Sequence, residues 1–201
     1  VKHFGGSATT TGNAVCVDSH NNVYLCGGYS DTIFIDTNYL VSNSQSTDIF
    51  IIKLDESGNL IRISMAGGTV VDNPYAMSTD LNDNLYITGS FEFKCGFDTD
   101  TVTSTGFADI FVAKYDSAGT IIWAKKAGGS GGDEVAYSIK CTASCIYVAG
   151  QITSQSMFGT HSVNPQAGDA FIAQYDFSGN NIWVKKGGGV ANDDCTDLGV
   201  D

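Results

Sequence analysis

A segment of about twenty residues occurs three times in this chain, and that repetition constrains the fold more than any other feature. The copies read "DIFIIKLDESGNLIRISMAGG" from Asp48, "DIFVAKYDSAGTIIWAKKAGG" from Asp109 and "DAFIAQYDFSGNNIWVKKGGG" from Asp169. Between them lie Gly-rich links and apolar hairpin patterns: "AVCVDSHNNVYLCGG", "AMSTDLNDNLYITGS" and "YSIKCTASCIYVAGQ". Gly pairs beginning at Gly5, Gly67, Gly128 and Gly188 set periods of 62, 61 and 60 residues, so the repeat covers the whole chain. A tandem unit of this size buries its apolar surface against its neighbours and not by itself.

Each period reads as four short strands, predicted in the first copy near 13–18, 22–27, 48–55 and 60–66. The third strand carries Phe50, Ile52 and Leu54 on one face and Ile49 and Ile51 on the other. Apolar residues on both faces require both faces to be covered, as when sheets stack. Four antiparallel strands per unit, with sheets stacked face to face, describe the blades of an all-β propeller. The expected organisation is a single segment, 1–201, with blades near 7–68, 69–129 and 130–189 and partial blade strands in 1–6 and 190–201. Closed propellers use about 4–8 blades. Three repeats therefore imply further blades, from more chain or from another copy, and self-assembly is expected.

The pattern D-x-F-[IV]-x-[KQ]-[LY]-D-x-x-G followed by W-x-K-K-x-G-G resembles the SBBP repeats of large secreted and surface proteins. The second and third copies fit it well; the first has Arg62 at the Trp position and Ser64 where Lys125 and Lys185 stand. The resemblance implies a propeller outside the cell and brings no catalytic motif with it.

Composition narrows the partners. The chain has 201 residues, 42% apolar, with 24 Gly and only 2 Pro, which suits short strands and tight turns. Its net charge of -12 repels phosphate backbones and anionic membrane surfaces, so nucleic acid and membrane insertion are not expected. Six Cys with few Lys point to an extracellular or cell-surface setting. The opening "VKHFGG" falls within the repeat pattern, so the sequence is read as mature or as cut from something longer.

"GGSGGD" at 128–133 fits a calcium β-roll pattern, but the equivalent links read "GGSATT", "GGTVVD" and "GGVAND". One match without tandem nonapeptides reads as inter-blade punctuation. Turns joining strands one–two and three–four are short and alike, whereas the loops between strands two and three are long and unlike one another. Divergent loops on a rigid scaffold read as a binding face; the alternative is that they drift without consequence. Carboxylates gather on that side: Asp72, Asp133 and Asp193 are candidates for Ca²⁺, and Asp98, Asp100, Glu134 and Asp194 extend the face. The competing role for the link carboxylates is capping of turn N–H groups.

In the hairpin of the third copy, Cys141 and Cys145 are aligned with Asp18/Asn22 and Asp80/Asn84, so a disulfide across the turn is expected. His3, His20 and His161 occupy unrelated repeat positions, which leaves no triad or His-metal pattern. The functional expectation is a non-enzymatic scaffold or protein-binding surface. The alternative is a glycan-binding propeller, calcium-dependent or not; against it, Trp123 and Trp183 sit at matching repeat positions, as core or rim residues do.

Overall fold

The structure, a computed structural model, describes residues 3–200. Strand β1 (Phe4–Gly6) precedes a first unit of β2 (Thr10–Val17), β3 (Val23–Tyr29), a small hairpin of β4 (Thr32–Ile35) and β5 (Asn38–Val41), then β6 (Asp48–Leu54) and β7 (Leu60–Gly68). The second unit is β8 (Asp72–Thr79), β9 (Leu85–Phe97), β10 (Asp100–Tyr115) and β11 (Ile121–Gly128). The third is β12 (Val135–Cys141), β13 (Ile146–Ile152), a hairpin of β14 (Ser156–Phe158) and β15 (His161–Val163), then β16 (Asp169–Tyr175) and β17 (Asn181–Gly187). Each unit is a four-stranded antiparallel meander: β2-β3-β6-β7, β8-β9-β10-β11 and β12-β13-β16-β17. The chain is all-β and propeller-like, and among the described residues its sheets do not close into a ring.

Alternation along the strands places the cores. Tyr24, Cys26, Ile49 and Ile51 of the first unit meet Leu85, Ile87, Phe111 and Ala113 of the second. Tyr86, Ile110, Val112 and Trp123 on the opposite face of the second unit meet Ile146, Val148, Phe171 and Ala173 of the third. The outer face of the first unit holds Phe50 and Ile52, with Leu25, Leu54 and Ile63 only partly buried.

The turns repeat at the level of atoms. Asp18, Asp55, Asp80 and Asp176 each accept, through Oδ1, backbone N–H groups two and four residues on, and each accepts the side-chain amide of the Asn that closes the turn. This self-contained Asx turn explains the recurring D-x-x-x-N sequence.

The segments between strands two and three differ from expectation, because they are not loops. They fold into hairpins that pair with the fourth strand of the preceding unit. Gly67 and Gly68 of β7 pair with Gly96 and Cys95, in the far half of β9. Ala127 and Gly128 of β11 pair with Phe158 and Met157, and Phe4–Gly6 pair with Ile33–Ile35. The first two units therefore share one continuous sheet with the β14–β15 hairpin. Ile33, Ile35, Cys95, Phe97 and Phe158 point inward from these hairpins and are fully buried.

The Gly pair now has a physical cause. Gly67, Gly128 and Gly188 have φ of 147°, 151° and 157°. A Cβ at these positions would lie 2.5, 2.3 and 2.5 Å from Oδ1 of Asp48, Asp109 and Asp169, the Asp of the D-x-F stretch in strand three of the same unit. The Asp of D-x-F and the Gly pair are thus two halves of one contact. Residues 188–200 form no strand, although 190–201 resembles a strand one. A strand one pairs with strand two of its own unit, and the described residues beyond Gly187 include no strand two. Residues 1, 2 and 201 of the expected end segments lie outside the described residues.

Candidate functional site

The carboxylates singled out in the links cap the chain where one unit passes to the next. Asp72 donates its N–H to Thr47 O (2.8 Å) and accepts the Gly68 N–H (2.7 Å). Glu134 donates to Ala108 O (2.8 Å) and accepts from Gly129 N–H (3.2 Å), Ser154 N–H (3.1 Å) and Ser154 Oγ (2.8 Å). Asp193 donates to Gly168 O (2.6 Å) and accepts from Gly189 N–H (2.9 Å). The equivalent set is therefore Asp72, Glu134 and Asp193. The second link is one residue longer than the first, which moves Asp133 out of the position expected for it. Asp133 instead accepts the Ala108 N–H at 3.2 Å.

Burial shapes these groups. Asp72 and Glu134 are fully buried. Burial pushes the Asp72 carboxyl up to about 7, against the pull of the Gly68 N–H, with the Asp48 charge adding to the rise. Glu134 is raised in the same way, by burial first and then by Asp109. In the second and third units a lysine accompanies the strand-three Asp: Lys126 Nζ lies 3.1 Å from Asp109 Oδ2, and Lys186 pairs with Asp169. In the first unit the matching residue is Met65, opposite Phe50 as Lys126 is opposite Phe111 and Lys186 opposite Phe171. Asp48 and Asp72 are left without a cation of that kind.

The three candidates for Ca²⁺ sit at three separate links and, among the described residues, form no group with converging ligand atoms. Of the remaining acidic residues, Asp98 makes the tip of the β9–β10 hairpin at φ 55°. Asp100 accepts the Ala124 N–H (2.7 Å) and so blunts the outer edge of β11. Asp194 is exposed. One convergence that repeat position did not reveal lies at the opposite end, where adjacent units stack their turns. Asp18, His20 and Asp83 bring ligand atoms within 4.8 Å of one another. His20 Nδ1 is 2.9 Å from Asp83 Oδ2, which also accepts from Ser19 Oγ. Asp18 is occupied by its own turn, and Lys53 Nζ stands 3.4 Å away, so this corner is a hydrogen-bonded contact between units and already holds a cation.

A second ladder joins the units on that side. Lys53 Nζ donates to Ser117 O (3.0 Å) and Arg62 Nη1 to Ala118 O (3.1 Å). One unit on, Lys114 Nζ and Trp123 Nε1 both donate to Phe177 O, each at 3.2 Å. The repeated Lys and Arg/Trp are therefore blade-joining donors, and buried Trp123 offers no platform to a sugar.

The expected Cys141–Cys145 bridge is not formed, and all six thiols are free. The turn here is Thr142–Cys145, one residue shorter than Asp18–Asn22, with Thr142 N–H donating to Cys145 O (2.9 Å). Thr142, not Cys141, takes the place of the turn Asp, and Cys141 stands on the strand opposite Ile146. Cys145 Sγ faces Thr142 Oγ1 and Gln174 Nε2, both at 3.2 Å.

No family model matches the chain, so the SBBP subtype rests on the motif resemblance alone. Over 219 aligned positions the chain is 25% identical to an uncharacterized WD repeat-containing protein, L264, of Acanthamoeba polyphaga mimivirus; the match covers 90% of this chain and 16% of that protein. The chain thus spans about a sixth of the length of that relative. A repeat-containing relative agrees with an all-β chain built from repeated four-stranded units.

Proposed function

We propose that this chain is a β-propeller segment that works without catalysis, as a structural scaffold and protein-binding surface in an extracellular or cell-surface setting. The supporting observation is a face that is covered inside the chain and open at its ends. Met77 and Ile139 are 6% and 1% exposed between units, whereas the matching Val15 is 63% exposed on the outer side of the first unit. Tyr86, Val112 and Trp123 are buried against the third unit, yet their counterparts Tyr147, Ile172 and Trp183 are only partly covered. Gln174 stands where Lys53 and Lys114 reach the next unit's turn, and it bonds Tyr147 OH (3.1 Å) instead. Both outer faces have the chemistry of a blade interface and suit a further blade of the same repeat. WD repeats in the relative fit an interaction role.

Opposed to the scaffold reading are sugar binding and hydrolysis. A glycan array and a broad hydrolase screen on the purified chain are expected to be blank. Micromolar retention of a defined glycan, or turnover abolished by a point substitution, would displace the scaffold reading.

A further inference from the structure

Where strand two leaves the sheet, the first and second units turn the same corner with different residues. In the first unit the corner is Asp31, at φ 63°, whose N–H donates to Ser42 Oγ (2.8 Å). In the second it is Phe93, at φ 59°, whose N–H donates to Ser104 Oγ (2.9 Å). Aspartate tolerates left-handed backbone; a bulky aromatic residue there is strained. Packing does not compensate, because Phe93 is 64% exposed.

Phe93 has company. Phe107, 71% exposed, lies on the opposing strand, and the register pair Ala108–Glu92 immediately neighbours both residues along the chain. Exposed Val71 extends the patch, its carbonyl accepting the Glu92 N–H at 3.1 Å. The other units serve as an internal control. Positions 71, 93 and 107 correspond to Thr9, Asp31 and Ser46 in the first unit and to Asp133, Ser154 and Ala167 in the third. The fold is built at this corner without aromatic residues twice, so the two Phe are not required by it.

We infer that Val71, Phe93 and Phe107 form a docking site for a protein segment that presents an aromatic or aliphatic side chain flanked by Lys or Arg. Clustered, rigidly held aromatic residues are the usual anchors of protein interfaces. The flanking charge follows from the rim. Glu92 precedes Phe93 and pairs with Ala108, and Asp133 is tied to Ala108 beside Phe107. Of the nearby cations, Lys126 is neutralised by Asp109, which leaves Lys94 against these acids on a chain of net charge -12. This inference rests on the protein-binding reading above and assigns it a place.

The test uses synthetic peptides with a central Trp, Phe or Leu flanked by Lys and Arg, and matched peptides flanked by Asp and Glu. Binding is read by fluorescence anisotropy on the full chain and on a variant carrying Phe93→Asp with Phe107→Ser, the residues of the first unit. The basic-flanked peptides are expected to bind at least tenfold more tightly than the acidic ones and to lose about tenfold on the variant. The melting temperature of the variant should be unchanged or higher, since Asp suits the corner. Equal binding by variant and parent, no binding by any peptide, no preference for basic flanks, or a melting temperature lowered by several degrees would each overturn the site. Blade association through the outer faces is measured separately, so the scaffold reading can stand while this site falls, or fall while the peptide result stands.

Discussion

At the scale of single residues, the decisive contact is between a glycine and a carboxylate that stand at opposite ends of the repeated segment. Gly128 is left-handed and a Cβ on it would meet Asp109 Oδ1 at 2.3 Å, whereas Gly187 has open space around it. Gly128→Ala is expected to cost at least about 2 kcal/mol in chemical denaturation. Gly187→Ala should be near neutral, which separates a local requirement from a general dislike of Cβ in strands. Asp72 makes a second residue-scale prediction. Its carboxyl is held up at about 7 by burial and then by Asp48, so between about pH 4 and 7 the folded state binds a proton that the unfolded state releases. That stability is present at low pH and lost as pH rises through 7, by up to about 1.4 kcal/mol per pH unit. Asp72→Asn removes the titration, so its stability relative to the parent should grow from pH 5 to pH 8 in urea titrations; a constant difference would contradict the assignment. The Gly pairs were legible in the sequence as punctuation. Their carboxylate partners were not, because the contact crosses a β-turn and two strands. The one-residue insertion that exchanges Asp133 for Glu134 was hidden for a related reason: only the pairing register reveals which acid meets the Gly N–H.

At the scale of elements, the inter-strand segments are plugs between units and not free loops. Cys95, Phe97 and Val102 enter the core shared by the first two units from a hairpin that projects beyond the meander. Phe97→Ala should therefore cost about 3–5 kcal/mol, the range for truncating a buried aromatic residue. A surface loop would lose less than about 0.5 kcal/mol, so equilibrium unfolding distinguishes the two clearly. The signal was available: Cys95 and Phe97 fall on alternate positions, as do Ile33 with Ile35 and Ser156 with Phe158, all fully buried. The high Thr, Ser and Asp content of these segments obscured it. The Cys pair failed for a different reason. Counting residues along a hairpin assumes a constant turn length, and the third unit shortens its turn by one, replacing Asp18 with Thr142 and placing Cys141 opposite Ile146.

At the scale of the whole molecule, the repeat made the architecture readable, because a 61-residue period of two-sided strands leaves few alternatives to stacked four-stranded units. What it did not convey is how the units are held together: by hairpins that join the preceding fourth strand, and by Lys53, Arg62, Lys114 and Trp123 reaching into the next unit's turn. The outer faces repeat that chemistry without a neighbour, with Val15 exposed on one and Ile172 and Trp183 partly open on the other. On the proposed scaffold reading these faces are expected to take further blades, and a head-to-tail contact between them would be heterologous, closing into a ring or extending as a filament. The most direct test is multi-angle light scattering of the 201-residue chain from 1 to about 100 μM, beside a variant carrying Ile172→Glu and Trp183→Glu. The parent is expected to associate with rising concentration and the variant to remain a folded monomer. A parent that stays a folded, non-aggregating monomer throughout that range would contradict the assignment of these faces as blade interfaces.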